Sequence, residues 1–293
     1  MSTFLIRGLL KEPAVRFAVT DCAELCSEAV VRHDADPGGA AVLGEALTVT
    51  TLLAVLLGEG ESCCVRLAYR GKAGKIVADV NDRAEVRGLI THPHLGMPPL
   101  DEDAVFGDVA QVSLLRSAEH RILNSGETES RLASPAADLA FFFSVSDQVE
   151  TAAQAALAFR ADPRRPIETA RGVLLQAMPQ CDLAAFDAIR RHVERPAFRR
   201  EMLEAGNGAP ETVAAALLRA AGCDVSPENL VFGQTLEPRF HCRCSRESLL
   251  RALLTIDRAE LDQMFREKPE LELRCEFCRR TYRFRADDLP PRR

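Results

Sequence analysis

Four cysteines near the C-terminal end have the residue types and spacing for metal chemistry: His241-Cys242-Arg243-Cys244 and Cys275-Glu276-Phe277-Cys278. A C-x-C pair is separated from a C-x-x-C pair by the helix-sized insert 245–274. Each short pair lets neighbouring sulfurs turn toward one ion, and the insert returns the second pair to complete a tetrahedron. The expectation is one zinc ion per chain in the reduced form, held by Cys242, Cys244, Cys275 and Cys278. The competing reading, two structural disulfides in an exported protein, needs an oxidising compartment. Four thiolates leave no open coordination position, so hydrolysis at the metal is not expected. Oxidation is the chemistry that remains, and it can pair Cys242 with Cys244 and Cys275 with Cys278. The C-x-C disulfide closes a small strained ring, which is readily reduced again. Loss of the ion removes a folding contribution on the order of 10–16 kcal/mol. The pattern therefore reads as a reversible redox switch whose output is local unfolding.

Arg243, Arg246, Arg274, Arg279 and Arg280 sit beside these cysteines in sequence. Two readings stand: they favour reactive thiolates, or they compensate the charge of a zinc–thiolate centre. His241 abuts Cys242 but is not needed as a ligand beside four sulfurs.

The elements around the cysteines follow from caps and periodicity. Ser245 is placed to cap a helix through Thr255, and Asp257 one through Arg266. Short strands at Leu271–Arg274 and Thr281–Phe284 flank the C-x-x-C. The segment 237–293 buries too little apolar surface to fold robustly without the metal. Before it, residues 180–233 carry short amphipathic helices separated by breakers. Their stripes run through Leu183, Phe186, Ile189 and Val193, then Phe198 and Met202, then Val213, Leu217 and Ala220. Such helices must lie on a neighbour, which makes them a candidate movable linker.

The remainder reads as mixed α and β. Strands are expected at Thr3–Leu10 and Val15–Thr20. Asp21 is placed to cap a helix to about His33, and a second helix runs from Pro37 to near Gly58. Val65, Leu67 and Tyr69 alternate with polar or small residues up to the turn Gly71-Lys72-Ala73-Gly74. Ile76, Ala78 and Val80 alternate on the way back, so the two runs form a hairpin. A further strand is expected at Ala84–Ile90, then a loop over His92–Asp103, a helix from Pro135 to Phe143, and strands up to Pro179.

Composition bounds the function. The 293 residues are 47% hydrophobic, enough for one large domain and a smaller one. The start, Met1-Ser2-Thr3-Phe4-Leu5-Ile6-Arg7, lacks the basic and apolar regions of a signal peptide. The apolar stretch Ala40–Leu57 contains Glu45 and reads as a core helix, not a membrane span. A cytoplasmic location is therefore expected, where ten cysteines stay reduced. The net charge of −6 argues against a dedicated nucleic-acid binder. From Glu237 onward, however, 14 Lys/Arg face 11 Asp/Glu, a net +3, so a nucleic-acid-binding zinc protein is the alternative. No paired-carboxylate or Ser/His/Asp pattern is legible, and Gly71-Lys72-Ala73-Gly74-Lys75 has the wrong spacing for a phosphate loop. No enzyme activity is expected. Among secondary candidates, Cys22 with Cys26, Cys63 with Cys64, and Phe141-Phe142-Phe143 read chiefly as core. Cys181 and Cys223 would react if the linker unfolds, and His92 with His94 form a weak metal candidate.

The cysteine-bearing segments closely resemble the redox-regulated heat-shock protein 33 family, the 33 kDa chaperonins. The match is densest at Phe240-His241-Cys242-Arg243-Cys244-Ser245-Arg246, Leu250-Arg251-Ala252-Leu253-Leu254 and Cys275-Glu276-Phe277-Cys278 with Tyr282 and Phe284. Arg171-Gly172-Val173-Leu174-Leu175-Gln176-Ala177-Met178-Pro179 is similar to a Gly-Gly-apolar-Gln-Pro segment, with Arg171 in place of the first glycine. Ser146-Asp147-Gln148 stands where the family commonly has Ser-Glu-Gln, and residues 96–134 depart most. The resemblance implies an α+β fold in three parts: a large N-terminal core domain at 1–179, a helical linker at 180–236 and a zinc-binding redox-switch domain at 237–293. It also implies a stress-response, ATP-independent holdase, inactive when reduced and zinc-bound. Oxidation would release zinc, unfold the linker, promote a homodimer and allow binding of unfolding client proteins.

Overall fold

The computed structural model describes residues 3–119 and 121–290; the expected outer limits of the terminal domains, at 1–2 and 291–293, lie outside them. The chain divides into two compact units, the first ending at Phe240 and the second beginning at His241. The fold is mixed α and β, as the alternating and helical periodicities require.

In the first unit the order is β1 (Phe4–Leu10), β2 (Val15–Asp21), α1 (Ala23–Arg32), α2 (Pro37–Leu52), β3 (Glu61–Tyr69), β4 (Lys75–Asn81), β5 (Glu85–Ile90) and α3 (Glu102–Phe106). There follow β6 (Ala110–Ala118), β7 (Arg121–Ser130), α4 (Pro135–Val145), β8 (Thr151–Phe159) and β9 (Ile167–Ala177). Three helices come next, α5 (Leu183–Val193), α6 (Pro196–Glu204) and α7 (Pro210–Ala220), and then β10 (Leu230–Leu236) and β11 (Arg239–Phe240). One sheet runs β10-β1-β2-β9-β8 and the other β11-β5-β4-β3-β6-β7.

The five-stranded sheet is buried on both faces, and its period-2 alternation shows why. Leu5, Ala18, Ala153, Ala155, Ala170 and Leu174 face a core shared with α1, α2, α4 and the six-stranded sheet. The intervening residues Ile6, Phe17, Val19, Ala152, Ala156, Val173 and Leu175 face α5, α6 and α7. The unit is thus layered as helices, sheet, helices, sheet. Helix α2 lies between the sheets and is apolar all round. The stretch Pro37–Leu56 is long and apolar enough to cross a membrane, yet its most apolar 18-residue window is 83% buried in this core. Asp36 caps it by accepting from the Gly39 N–H at 2.8 Å. Helix α2 ends at Leu52 and tightens into a 3-10 turn, Leu53–Leu56, short of the expected Gly58.

Two local expectations are corrected. Asp21 ends strand β2 opposite Arg171 and α1 starts one residue later, behind Cys22, so the carboxylate serves a cross-strand partner. Leu183, placed in the buried stripe by spacing, is 59% exposed, whereas Phe186, Ile189 and Val193 are buried. It is the first residue of α5, where the helix has not yet turned its apolar face inward. Residues 180–236 comprise α5–α7 and also β10, which pairs with β1 across the length of the unit.

The second unit contains α8 (Arg246–Leu253), α9 (Arg258–Glu267) and the antiparallel hairpin β12 (Glu270–Arg274) and β13 (Thr281–Arg285). Ser245 caps α8 in a reciprocal capping box with Ser248, and Asp257 caps α9. Its core is small: Leu253, Leu261, Leu271, Phe284 and Leu289.

Candidate metal centre

The four cysteines reach one point from two backbone devices. Cys242 and Cys244 lie on the extended segment that leads into the Ser245 cap, where alternate residues turn the same way. Cys275 and Cys278 occupy the tight turn of the β12–β13 hairpin. The Cys275 N–H donates to the Arg280 carbonyl at 2.9 Å, and the Arg279 N–H donates to the Cys275 carbonyl at 2.8 Å. Arg279 takes a left-handed conformation, φ 57°, to close that turn.

All four Sγ atoms lie within 4.8 Å of one another. Cys242 and Cys275 approach to 3.7 Å, and Cys244 and Cys278 to 3.4 Å. A disulfide needs about 2.05 Å, so these are thiols, as are all ten cysteines of the chain. A tetrahedron with metal–sulfur bonds of about 2.3 Å has sulfurs about 3.8 Å apart. The observed spacing fits that geometry. Cys275 and Cys278 are buried, and Cys242 and Cys244 are half-buried. Desolvation first, and then hydrogen bonds with Cys244 and Cys242, push the Cys278 thiol up to about 12. A cation at the centre of the four sulfurs would offset that cost by stabilising the thiolate form.

The surrounding arginines separate the two readings of their charge. Arg246 pairs with Asp288 at 2.6 Å and lies over the Phe284 ring, 4.6 Å from its centroid. Arg279 pairs with Glu276 at 2.8 Å, and Arg274 donates to the Arg279 carbonyl at 3.2 Å. These three brace the fold. The charge of Arg280 bears on the sulfurs, through Tyr282 and toward Cys278 and Cys244. Tyr282 was not singled out by spacing. Its hydroxyl lies 3.2 Å from the Cys244 Sγ and 3.3 Å from the Cys244 carbonyl. The contact with Cys244, more than burial, raises its phenol pKa. The signal for it was the family resemblance, which includes Tyr282; in the hairpin it lies opposite Leu273.

The other candidates stay apart. His241 is exposed and outside the sulfur cluster. His92 contacts the Lys72 carbonyl and His94 the Asp34 carbonyl. Cys22 and Cys26 are buried 3.7 Å apart, and desolvation pushes Cys26 far up. Burial lifts Cys63 and Cys223 to about 12, and Cys181 is raised as well. Phe142 and Phe143 are core residues, whereas Phe141 lines a surface groove of about 910 Å³ with Leu132 and Val145.

Comparison with known proteins gives one consistent answer. The family model described as "Hsp33 protein" matches residues 4–285. A 33 kDa chaperonin of Listeria innocua is 28% identical over 99% of this chain and 97% of its own length. One from Clostridium perfringens is 28% identical over 99% of this chain and 90% of its own. The crystal structure of the 33 kDa chaperonin, a heat shock protein 33 homolog, from Thermotoga maritima superposes with a TM-score of 0.80. It shares 24% identity and covers 98% of this chain and 96% of that one, which establishes the common fold. With a family model spanning nearly the whole chain and four sulfurs gathered at its expected centre, the chain belongs to the Hsp33 family of chaperonins.

Proposed function

We propose that this chain is a redox-regulated, ATP-independent holdase whose resting form holds one zinc ion on Cys242, Cys244, Cys275 and Cys278. The observation that carries this reading is the gathering of four thiol sulfurs within 4.8 Å from two short cysteine pairs. Bound zinc would supply structural cross-linking: it would join the segment before α8 to the β12–β13 turn and stabilise four thiolates. In a reducing cytoplasm the thiols persist and the second unit stays folded.

On oxidation Cys242 bonds to Cys244 and Cys275 to Cys278. Each pair of thiolates gives up two electrons to hydrogen peroxide, whose O–O bond breaks and which leaves as two waters after taking up two protons from solvent. The sulfurs thereby vacate their ligand positions. The second unit then depends, among the described residues, on five buried apolar side chains, too few to hold a unit of that size. The helices α5–α7 loosen next. Their residues Phe186, Ile189, Phe198 and Leu217 are buried against the outer face of the five-stranded sheet. Their departure exposes both that face and their own stripes, and such surface binds unfolding proteins without nucleotide. The exposed surface also supports a homodimer in the oxidised form.

The test is suppression of aggregation of a thermally unfolding client, with reduced zinc-loaded protein and with peroxide-treated protein side by side. Activity in the treated sample alone, together with released zinc and disulfides between Cys242 and Cys244 and between Cys275 and Cys278 by non-reducing peptide mapping, is expected. Equal activity in both samples would refute the switch.

A further inference from the structure

Arg171, on β9, is 2% exposed and is among the largest fully buried side chains of the molecule. It stands directly opposite Asp21 in the β2–β9 register, on the sheet face that α5–α7 cover. Its neighbour on β8 is Ala156, small enough to leave room for the guanidinium. From there it makes a fan of contacts. Nε faces the Asp21 carboxylate at 3.4 Å. Nη1 donates to the Met202 carbonyl at 2.7 Å and to the Leu203 carbonyl at 3.5 Å. Nη2 donates to the Gly206 carbonyl and to the Asn207 Oδ1 at 2.9 Å.

These acceptors are the end of α6 and the loop to α7. The last carbonyls of a helix have no intrahelical donor and carry its negative dipole end. Helix α6 has no basic residue in its own last turn. The chain leaves it through Gly206 at φ 72°, a conformation that favours glycine. The cap of α6 is therefore supplied from the sheet, by a residue far earlier in sequence. A planar guanidinium with five donors fits several acceptors in one geometry only. A buried ion pair is weak as a net stabiliser, but a charge in place demands its partners, so it selects one docked arrangement over sliding alternatives.

We propose that Arg171 is a positioning residue that fixes α6 and the α6–α7 loop in one register on the five-stranded sheet, and so sets how readily these helices lift off when the cysteine centre is oxidised. This rests on the holdase reading above for its functional consequence, but not for the docking itself.

The test uses full-length, reduced, zinc-loaded protein. The double variant Asp21→Asn/Arg171→Met keeps apolar volume and removes both buried charges. Arg171→Lys keeps the charge and loses the fan, and Asn207→Ala removes one acceptor from an exposed position that cannot endanger folding. The double variant leaves the Met202, Leu203 and Gly206 carbonyls without their donor, so hydrogen exchange at 198–217 should accelerate on the order of 100-fold there, by an intermediate factor in Arg171→Lys, and by several-fold in Asn207→Ala. Exchange in β3–β6 and zinc content should not move, a pattern that a general loss of stability does not produce. In the aggregation assay the double variant should protect a client in part while still reduced, and as fully as wild type once oxidised. Exchange that is unchanged, or faster everywhere, overturns the latch. Locally faster exchange with no reduced-state protection, while oxidised wild type protects, overturns its role in setting the switch. If oxidised wild type does not protect at all, the holdase reading falls, and the exchange pattern alone decides whether Arg171 fixes the docking.

Discussion

Phe186→Ala is the sharpest perturbation of α5–α7 that leaves the cysteines untouched. Phe186 is 1% exposed and sits in the cluster that α5–α7 form with the sheet residues Phe17, Val19 and Val173. Truncating a buried phenylalanine costs about 3–5 kcal/mol, transfer and cavity together. Helix α5 meets the rest of the unit through one buried stripe, Phe186, Ile189 and Val193, so the cost falls on its local detachment. At about 1.4 kcal/mol per factor of ten, the opening equilibrium of α5 rises roughly 100-fold to 4,000-fold. Leu183→Ala is the internal control. The same helix loses a side chain that is mostly in water, and a surface change of this kind stays within about 0.5 kcal/mol, near twofold. The assay is native-state hydrogen exchange on reduced, zinc-loaded protein, reading the amides of α5 against those of β3–β6. Exchange in α5 should rise by the stated factor in Phe186→Ala and stay near wild type in Leu183→Ala, with zinc retained in both. Phe186→Ala should also protect a client in part before oxidation. Acceleration below about tenfold, or acceleration shared equally by β3–β6, would refute the argument that α5 detaches as a local unit. Local acceleration without client protection would refute linker release as the activating step.

Other outcomes follow from the same structure. Cys242→Ser or Cys278→Ser should lose tight zinc, read as metal per chain after gel filtration, and full zinc content would disprove the ligand assignment. Tyr282→Phe removes the hydroxyl at Cys244 and should keep the metal while weakening it about 10- to 100-fold against a chromophoric chelator; unchanged competition would show that the hydroxyl does not support the ligand. Asp36 is desolvated, which opposes ionisation, but backbone N–H groups of Gly39, Gly96 and Leu95 together hold its carboxyl below the usual carboxylate range. Its contribution is therefore present above the unfolded pKa, about 3.9, and is lost as pH falls through the lower folded value. Denaturant melts below pH 5 should show wild type losing stability faster than Asp36→Asn, and parallel curves would contradict the assignment.

The cysteine spacing, the helix caps at Ser245 and Asp257, and the period-2 hairpin of β3 and β4 were legible in the chain itself. Each depends on residues within one turn or one strand, where geometry follows from covalent connection and backbone preference. The all-round apolar character of α2 likewise announced a helix with protein on every side. Tertiary structure decided what depends on distant partners. β10 pairs with β1, and β11 runs parallel to β5, because an open edge accepts whichever strand topology delivers. Leu183 falls at the helix start and outside the stripe that spacing drew. Tyr282 becomes a neighbour of Cys244 only when the β12–β13 hairpin folds back on the segment before α8. Arg171 looked like a substitution in a strand, and three-dimensional packing gave it the end of α6. A guanidinium's role is set by the acceptors around it, and those here come from residues 202–207 and from Asp21, brought together by the sheet.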